Sequence, residues 1–183
     1  MKNLIFLACL LGLYNTVSAQ VDTTAFTTAF NEVKTQSAPD KRAVYFNFQF
    51  KADTVFVESS SQSAITLLDE RTKGIAGLVR INRLLPSKLL NGFEYAVANL
   101  SVCNNRAAPQ NAAEMMTQTI LGTPMQVLKK QGGFYLVRTP DGYLSWTDAA
   151  ALSLMTKTEF DAWKTSKRII YLADYGHAYS QAN

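Results

Sequence analysis

The chain has 183 residues, with 18 Lys and Arg against 14 Asp and Glu and a single His, for a formal net charge of +4. The basic surplus is spread along the chain and is densest only at Lys164, Lys167 and Arg168, so no phosphate-tracking stripe exists and nucleic acid is not an expected partner. With Cys9 set aside in the apolar N-terminal leader, one cysteine and one histidine cannot supply the three or four ligands of a typical zinc site without carboxylates, and no ligand-spaced cluster exists; no metal and no cofactor are expected.

Residues 1–19 read as a signal peptide. Lys2 is the only charge among them, "LIFLACLLGLY" is too short to span a bilayer, and "VSA" places small residues before a cleavage point after Ala19. The expected mature protein is exported to the periplasm or cell envelope, with no membrane anchor. Losing Lys2 lowers the basic count from 18 to 17 against 14 acids, a charge of about +3. Cys9 leaves with the leader, so Cys103 has no partner, and stability is expected to come from buried apolar area.

Residues 20–41 form a helix and a linker: Phe26, Ala29, Phe30 and Val33 recur at helical spacing, and Pro39 follows. The span 42–92 reads as a small β-β-α-β unit. "RAVYFNFQF" alternates, with Val44, Phe46, Phe48 and Phe50 on one face; "KADT" turns; "VFVE" returns. "SSSQSAITLLDERTKG" is a serine-capped helix closed by Gly74, and "IAGLVRINRLLP" is a further strand. No glycine-rich loop, His or Cys occurs there, so a packing or spacing role is expected.

From 93 to 152 short strands and turns alternate: "FEYAVANLSV", "MMTQTIL", "PMQVLKK", "GFYLVRT" and "YLSWTD". That spacing suggests a small barrel. "LVRTPDGYLSWTD" is a hairpin, with Pro140, Asp141 and Gly142 at its turn. Over 153–167, Thr156 and Glu159 have capping-box spacing, and Phe160 and Trp163 share a face, which reads as a linker helix. "RIIYLADYGHAYS" within 168–183 is β-rich again and reads as the start of another module.

The motifs from 93 onward resemble a bacterial SH3-type (SH3b) domain. The opening is Asn104 to Pro109 with Arg106 within it, the interior glycine is Gly122, the third element is "GFYLV" (Gly133 to Val137), and the close is Ser145-Trp146. "RTPDGYL", "MT" and "EFDAW" are further similar to the region joining two SH3b modules in secreted NlpC-type cysteine peptidases of Bacteroides-like bacteria, which are γ-D-glutamyl-L-diamino-acid endopeptidases. The resemblance implies an α+β fold, mainly β: the β-β-α-β unit, an SH3-like β-barrel, the linker helix and an incomplete second SH3b module. It also implies a non-catalytic binding or positioning part for peptidoglycan stem peptides, with the sequence stopping before the catalytic domain. In that family the first SH3b domain borders the active-site cleft and helps select peptides with a free amino terminus. Ala108 stands where the opening loop often carries an acid, Phe134 where tryptophan is common, and Ser145 where glycine is usual.

Candidate ligand-binding residues are Tyr135, Tyr143, Arg106, Asp141 and Trp146. In a small barrel, Leu136, Leu144 and Trp146 are expected to face inward, and both faces of a strand cannot be core, which leaves Tyr135 and Tyr143 for a shallow peptide groove. Arg106 and Asp141 suit its rim. Two alternatives remain: an envelope interaction protein that recruits a protein partner through exposed strand edges, and a divergent hydrolase using Cys103. The second would need His177 as base, although Cys103 ends a strand with no helix N-terminus to lower its pKa.

Overall fold

The computed structural model describes residues 22–169 and Leu172. The expected signal peptide, His177 and nearly all of the expected second module lie outside the described residues. What is described is mixed α+β and mainly β: three helices, a three-stranded sheet and a seven-stranded antiparallel sheet.

The first sheet is built by α1 (Thr23–Ser37), β1 (Phe46–Lys51), β2 (Thr54–Ser59), α2 (Gln62–Thr72) and β3 (Val79–Leu84). Asp22 caps α1 by accepting the Ala25 N–H at 2.9 Å, and the Ser61 hydroxyl accepts the Ala64 N–H to start α2. The β1–β2 hairpin runs in register from Phe46↔Ser59 to Lys51↔Thr54. The α2 crossover then returns β3 parallel to β2, as a helical connection allows. Strand order is β1-β2-β3.

Alternation aims Phe46, Phe48, Phe50, Val55 and Val57 at the helices. There Phe26 meets Phe48 and Phe50 edge-on, with centroids 5.2 and 5.5 Å apart, and Phe30 stacks on Phe46 at 4.3 Å. The helix that the sequence reading sets apart with a linker over 20–41 is therefore part of this core. Phe26 and Val33 are completely buried.

The second sheet comprises β4 (Tyr95–Ala98), β5 (Val102–Arg106), β6 (Met115–Ile120), β7 (Pro124–Gln131), β8 (Phe134–Arg138), β9 (Leu144–Asp148) and β10 (Leu152–Met155), followed by α3 (Lys157–Thr165). Its order is β10-β4-β7-β8-β9-β5-β6. Three boundaries differ from the sequence reading. "FEYAVANLSV" is broken after Ala98: one bond in register with β10, from the Asn99 N–H to the Ala151 carbonyl at 3.0 Å, ends the pairing before the chain turns into β5. Asn104 to Arg106, read as part of an opening loop, are strand. Residues 153–155, assigned to the linker helix, extend β10, and the helix begins only behind the reciprocal Thr156–Glu159 capping box.

The 134–148 hairpin is as expected. Gly142 sits at φ 89°, a conformation cheap only for glycine, and its N–H donates to Thr139 O at 2.9 Å.

One expectation fails here. Both faces of β8 are core: Tyr135 and Val137 join Ala96, Cys103, Met125 and Leu152 on one side, while Phe134 and Leu136 join Leu128, Leu144 and Trp146 on the other. The second side is not a barrel interior. It is closed by Leu85 and Tyr45 from the N-terminal unit. A bulge between Val127 and Lys129 opposes Leu136 with Lys129 and turns that cation toward the same boundary.

Candidate functional site

Four links join the two sheets where β9 and β7 face the N-terminal unit. The Leu144 N–H donates to the Arg42 carbonyl, and the Ser87 N–H donates to Leu128 O at 2.7 Å. Lys129 Nζ donates to the Tyr45 hydroxyl at 3.1 Å and to the Glu58 carboxylate. The same ammonium lies 4.7 Å from the Tyr45 ring centroid and 5.8 Å from that of Trp146. Burial alone would lower the Lys129 pKa; the hydrogen bonds to Glu58 and Tyr45, with their charge, outweigh it and hold the group above its ordinary value.

This ionic link stands between two clefts. The first, about 530 Å³, has Tyr45, Leu144 and Trp146 in its wall, with Lys34, Lys41 and Arg42 on the N-terminal side and Glu114 on the β6 side. Arg42 is fixed there by Asp40, which accepts both its backbone N–H at 2.8 Å and its Nε–H at 3.1 Å. The side-chain hydrogen bond from Arg42, followed by the backbone one, lowers the Asp40 pKa, and the hydrogen bond to Asp40 raises that of Arg42. Among the described residues Glu114 makes no ion pair. Its carboxylate is exposed, while its carbonyl accepts the Ala107 N–H at 2.9 Å and holds the strand start. Ser145 also lines this cleft, with a buried hydroxyl that has no hydrogen-bond partner. The second cleft, about 930 Å³, runs between β3 and the β7–β8 turn.

The five sequence candidates do not converge on one groove. Trp146 lines the first cleft. Tyr143 is exposed at its rim, with the Arg42 guanidinium 5.0 Å from the ring centroid. Tyr135 is buried on the opposite face of the sheet, its ring 5.5 Å from Lys130 Nζ. Arg106 donates to Ala113 O at 3.0 Å, bracing the loop before β6. Asp141 accepts from the Thr139 hydroxyl within its own turn.

The residues that sequence reasoning missed are Arg42, Tyr45, Glu114 and Lys129. Tyr45 had a visible signal, as an aromatic residue on the face of "RAVYFNFQF" opposite its phenylalanines. Glu114 had none beyond its charge.

Cys103 is 1% exposed, with its Sγ 3.5 Å from the Ala151 carbonyl, and packs in the apolar core. Among the described residues no group of three His, Cys, Asp or Glu could hold a metal ion, and no helix is long and apolar enough to cross a membrane.

The family model for the bacterial dipeptidyl-peptidase SH3 domain matches residues 105–152, from the end of β5 to the start of β10. The match takes in Glu114, Lys129 and Trp146, but not Arg42, Tyr45 or Glu58. No curated protein matches the chain.

Proposed function

We propose that this chain is an exported, non-catalytic module that binds peptidoglycan stem peptides and positions them for an NlpC-type endopeptidase. The observation that carries this reading is the first cleft, whose wall the matched SH3 region shares with the N-terminal unit. A released stem peptide has a free ammonium at its first residue and a free carboxylate on its γ-linked glutamate. Glu114 offers a charge partner to the first, and Lys34, Lys41 and Arg42 offer partners to the second. Trp146 and Tyr45 give the aromatic faces against which short aliphatic side chains pack. Glu114 also supplies the carboxylate that Ala108 lacks, from six residues further along the chain.

Glu114 and the cations sit on different units, so a ligand bridging them is selected by length as well as charge. The Lys129 link to Glu58 and Tyr45 holds the separation between the two walls. In this role the module contributes orientation and retention, and the bond-breaking chemistry belongs to a catalytic domain.

The test uses the free tripeptide L-Ala-γ-D-Glu-diaminopimelate and its N-acetyl form, which stands for the stem in intact glycan, where the alanine nitrogen is amide-bonded. The chain contains two tryptophans, so a Trp163→Phe background isolates Trp146 emission. Free tripeptide should quench that emission, and Glu114→Gln should weaken its binding by about tenfold, the worth of ~1.4 kcal/mol. Binding of the acetylated peptide should be weak in both proteins. Unchanged Trp146 emission at millimolar free tripeptide, or equal binding of the acetylated peptide, removes the reading.

A further inference from the structure

The outer edge of β3 carries a feature that the first cleft does not use. The Val79 N–H donates to Asp53 O at 3.3 Å and the Leu85 N–H to Ser59 O at 2.8 Å, so the odd-numbered residues of this strand turn their backbone groups toward β2. The N–H and C=O groups of Arg80, Asn82 and Leu84 therefore face away from β2, and among the described residues β3 pairs with no other strand. Such edges are commonly blunted by a proline, a bulge or a covering element. β3 has neither proline nor bulge over its six residues, and it exposes Val79, Ile81 and Leu84.

The second cleft opens along the C-terminal half of this edge, and its walls are strongly one-signed. Arg83, Lys88, Lys129 and Lys130 line it against the single carboxylate of Glu58. Lys129 is committed to Glu58, with Arg83 3.8 Å from the same carboxylate. Lys88 and Lys130 make no ion pair among the described residues. Leu84 and Leu89 add aliphatic surface, and Leu89 is 85% exposed.

We infer that this cleft is a docking site for an acidic, aliphatic-bearing peptide segment of a partner protein, which adds as a strand to the free edge of β3. Backbone hydrogen bonds to Arg80, Asn82 and Leu84 give it affinity. Lys88 and Lys130 select acidic side chains on one face, and Leu84 with Leu89 accept aliphatic ones. A second copy of this chain is a poor occupant. β3 carries Arg80 and Arg83 and no Asp or Glu, so edge-to-edge pairing with a second copy gives Lys88 and Lys130 no acidic partner. The site is separate from the first cleft, so either can fail without the other.

The test measures fluorescence anisotropy of a labelled heptapeptide, acetyl-Asp-Val-Glu-Leu-Asp-Val-Glu-amide, against the full chain. Two further peptides carry N-methyl groups on alternate residues, one in each phase, and a fourth replaces every acid with lysine. The acidic peptide should bind. One N-methyl phase should weaken binding by about tenfold and the other much less, because only one row of N–H groups faces β3. The lysine peptide should not bind, and Lys88→Glu with Lys130→Glu should abolish binding of the acidic one. Asn82→Pro, which removes an outward N–H without breaking a β2 bond, should weaken binding while far-UV circular dichroism stays unchanged. Trp146 emission should not respond to this peptide. No binding of the acidic peptide, equal effects of the two N-methyl phases, equal binding of the lysine peptide, or self-association through this edge in sedimentation would each overturn the inference.

Discussion

Replacing Lys129 with methionine tests whether the two sheets are held as one unit. Methionine keeps the apolar stem against Trp146 and removes the ammonium. The lost interactions are a charge-assisted hydrogen bond to Glu58, a hydrogen bond to the Tyr45 hydroxyl, and the faces of two aromatic rings. A charged hydrogen bond is worth about 1.5–3 kcal/mol net, and a partly desolvated cation–π contact adds about 1 kcal/mol. Methionine loses about as much rotamer freedom as lysine, about 1.5–2 kcal/mol, so that cost cancels and only the desolvation of the ammonium stands against these gains. The side chains of Lys129 and Glu58 are 12% and 27% exposed, so Glu58 can rehydrate and keeps Arg83 nearby. The full penalty of breaking a buried pair, about 3–5 kcal/mol, therefore does not apply. The expected loss is about 2 kcal/mol, which moves a urea midpoint by roughly 1 M at an ordinary m-value. A cycle with Glu58→Gln should give a coupling of about 1 kcal/mol. Because the folded pKa of Lys129 is raised, its contribution is fully present below the ordinary lysine value of 10.5 and is lost as pH rises through the higher folded value. The difference between wild type and Lys129→Met should thus be flat from pH 6 to 9, on the order of the neutral value throughout, and shrink only in strong alkali. A variant within about 0.5 kcal/mol of wild type, or zero coupling to Glu58, would refute the argument.

Phe26→Ala removes a fully buried ring from the aromatic cluster and should cost about 3–5 kcal/mol in urea unfolding; a loss under about 1.5 kcal/mol would mean that α1 is not part of this core. Thr156→Ala should cost about 1 kcal/mol by deleting the cap of α3, read in the same assay. Hydrogen bonds from the Thr156 backbone and hydroxyl hold the Glu159 carboxyl below the usual range. The capping contribution is therefore present above the ordinary glutamate value and disappears as pH falls through the lowered one, which the Thr156 amide resonance should follow in an NMR titration. Cys103 should react with a thiol reagent at least about a hundredfold more slowly in the native protein than in urea, and Cys103→Ala should retain binding of the free tripeptide. A fast native reaction would contradict its place in the core.

Much of the secondary structure is legible in the sequence because period and punctuation agree. "RAVYFNFQF" alternates over enough residues to fix its faces, Asp141-Gly142 fixes a turn, and Thr156 with Glu159 fixes a helix start. The faces of β8 are not legible from the SH3-like region alone, because one of them packs against the N-terminal unit. The strand's own residues show only that both faces are covered: Phe134, Tyr135, Leu136 and Val137 are four consecutive apolar positions, a pattern of two-sided burial and not of a strand with one wet face. Leu136, Leu144 and Trp146 are indeed buried, but against Tyr45 and Leu85. The candidate site was less legible for a related reason. Tyr45 and Lys129 are 84 residues apart in sequence, and Glu58 and Lys129 are 71 apart, so no spacing rule joins them. Their meeting depends on how the β7 bulge turns one side chain.

The two-sided burial of β8 bears on the order in which the chain can acquire its structure as it emerges N-terminus first. The aromatic core of α1, α2 and the first sheet is drawn from residues up to Leu78, so all of its side chains have emerged before β4 does. That folded unit can then serve as a template for the strands that follow, offering Tyr45 and Leu85 to Leu136, Leu144 and Trp146 as they emerge. With the order reversed, those three side chains would wait in water while the wall that shelters them was still being made.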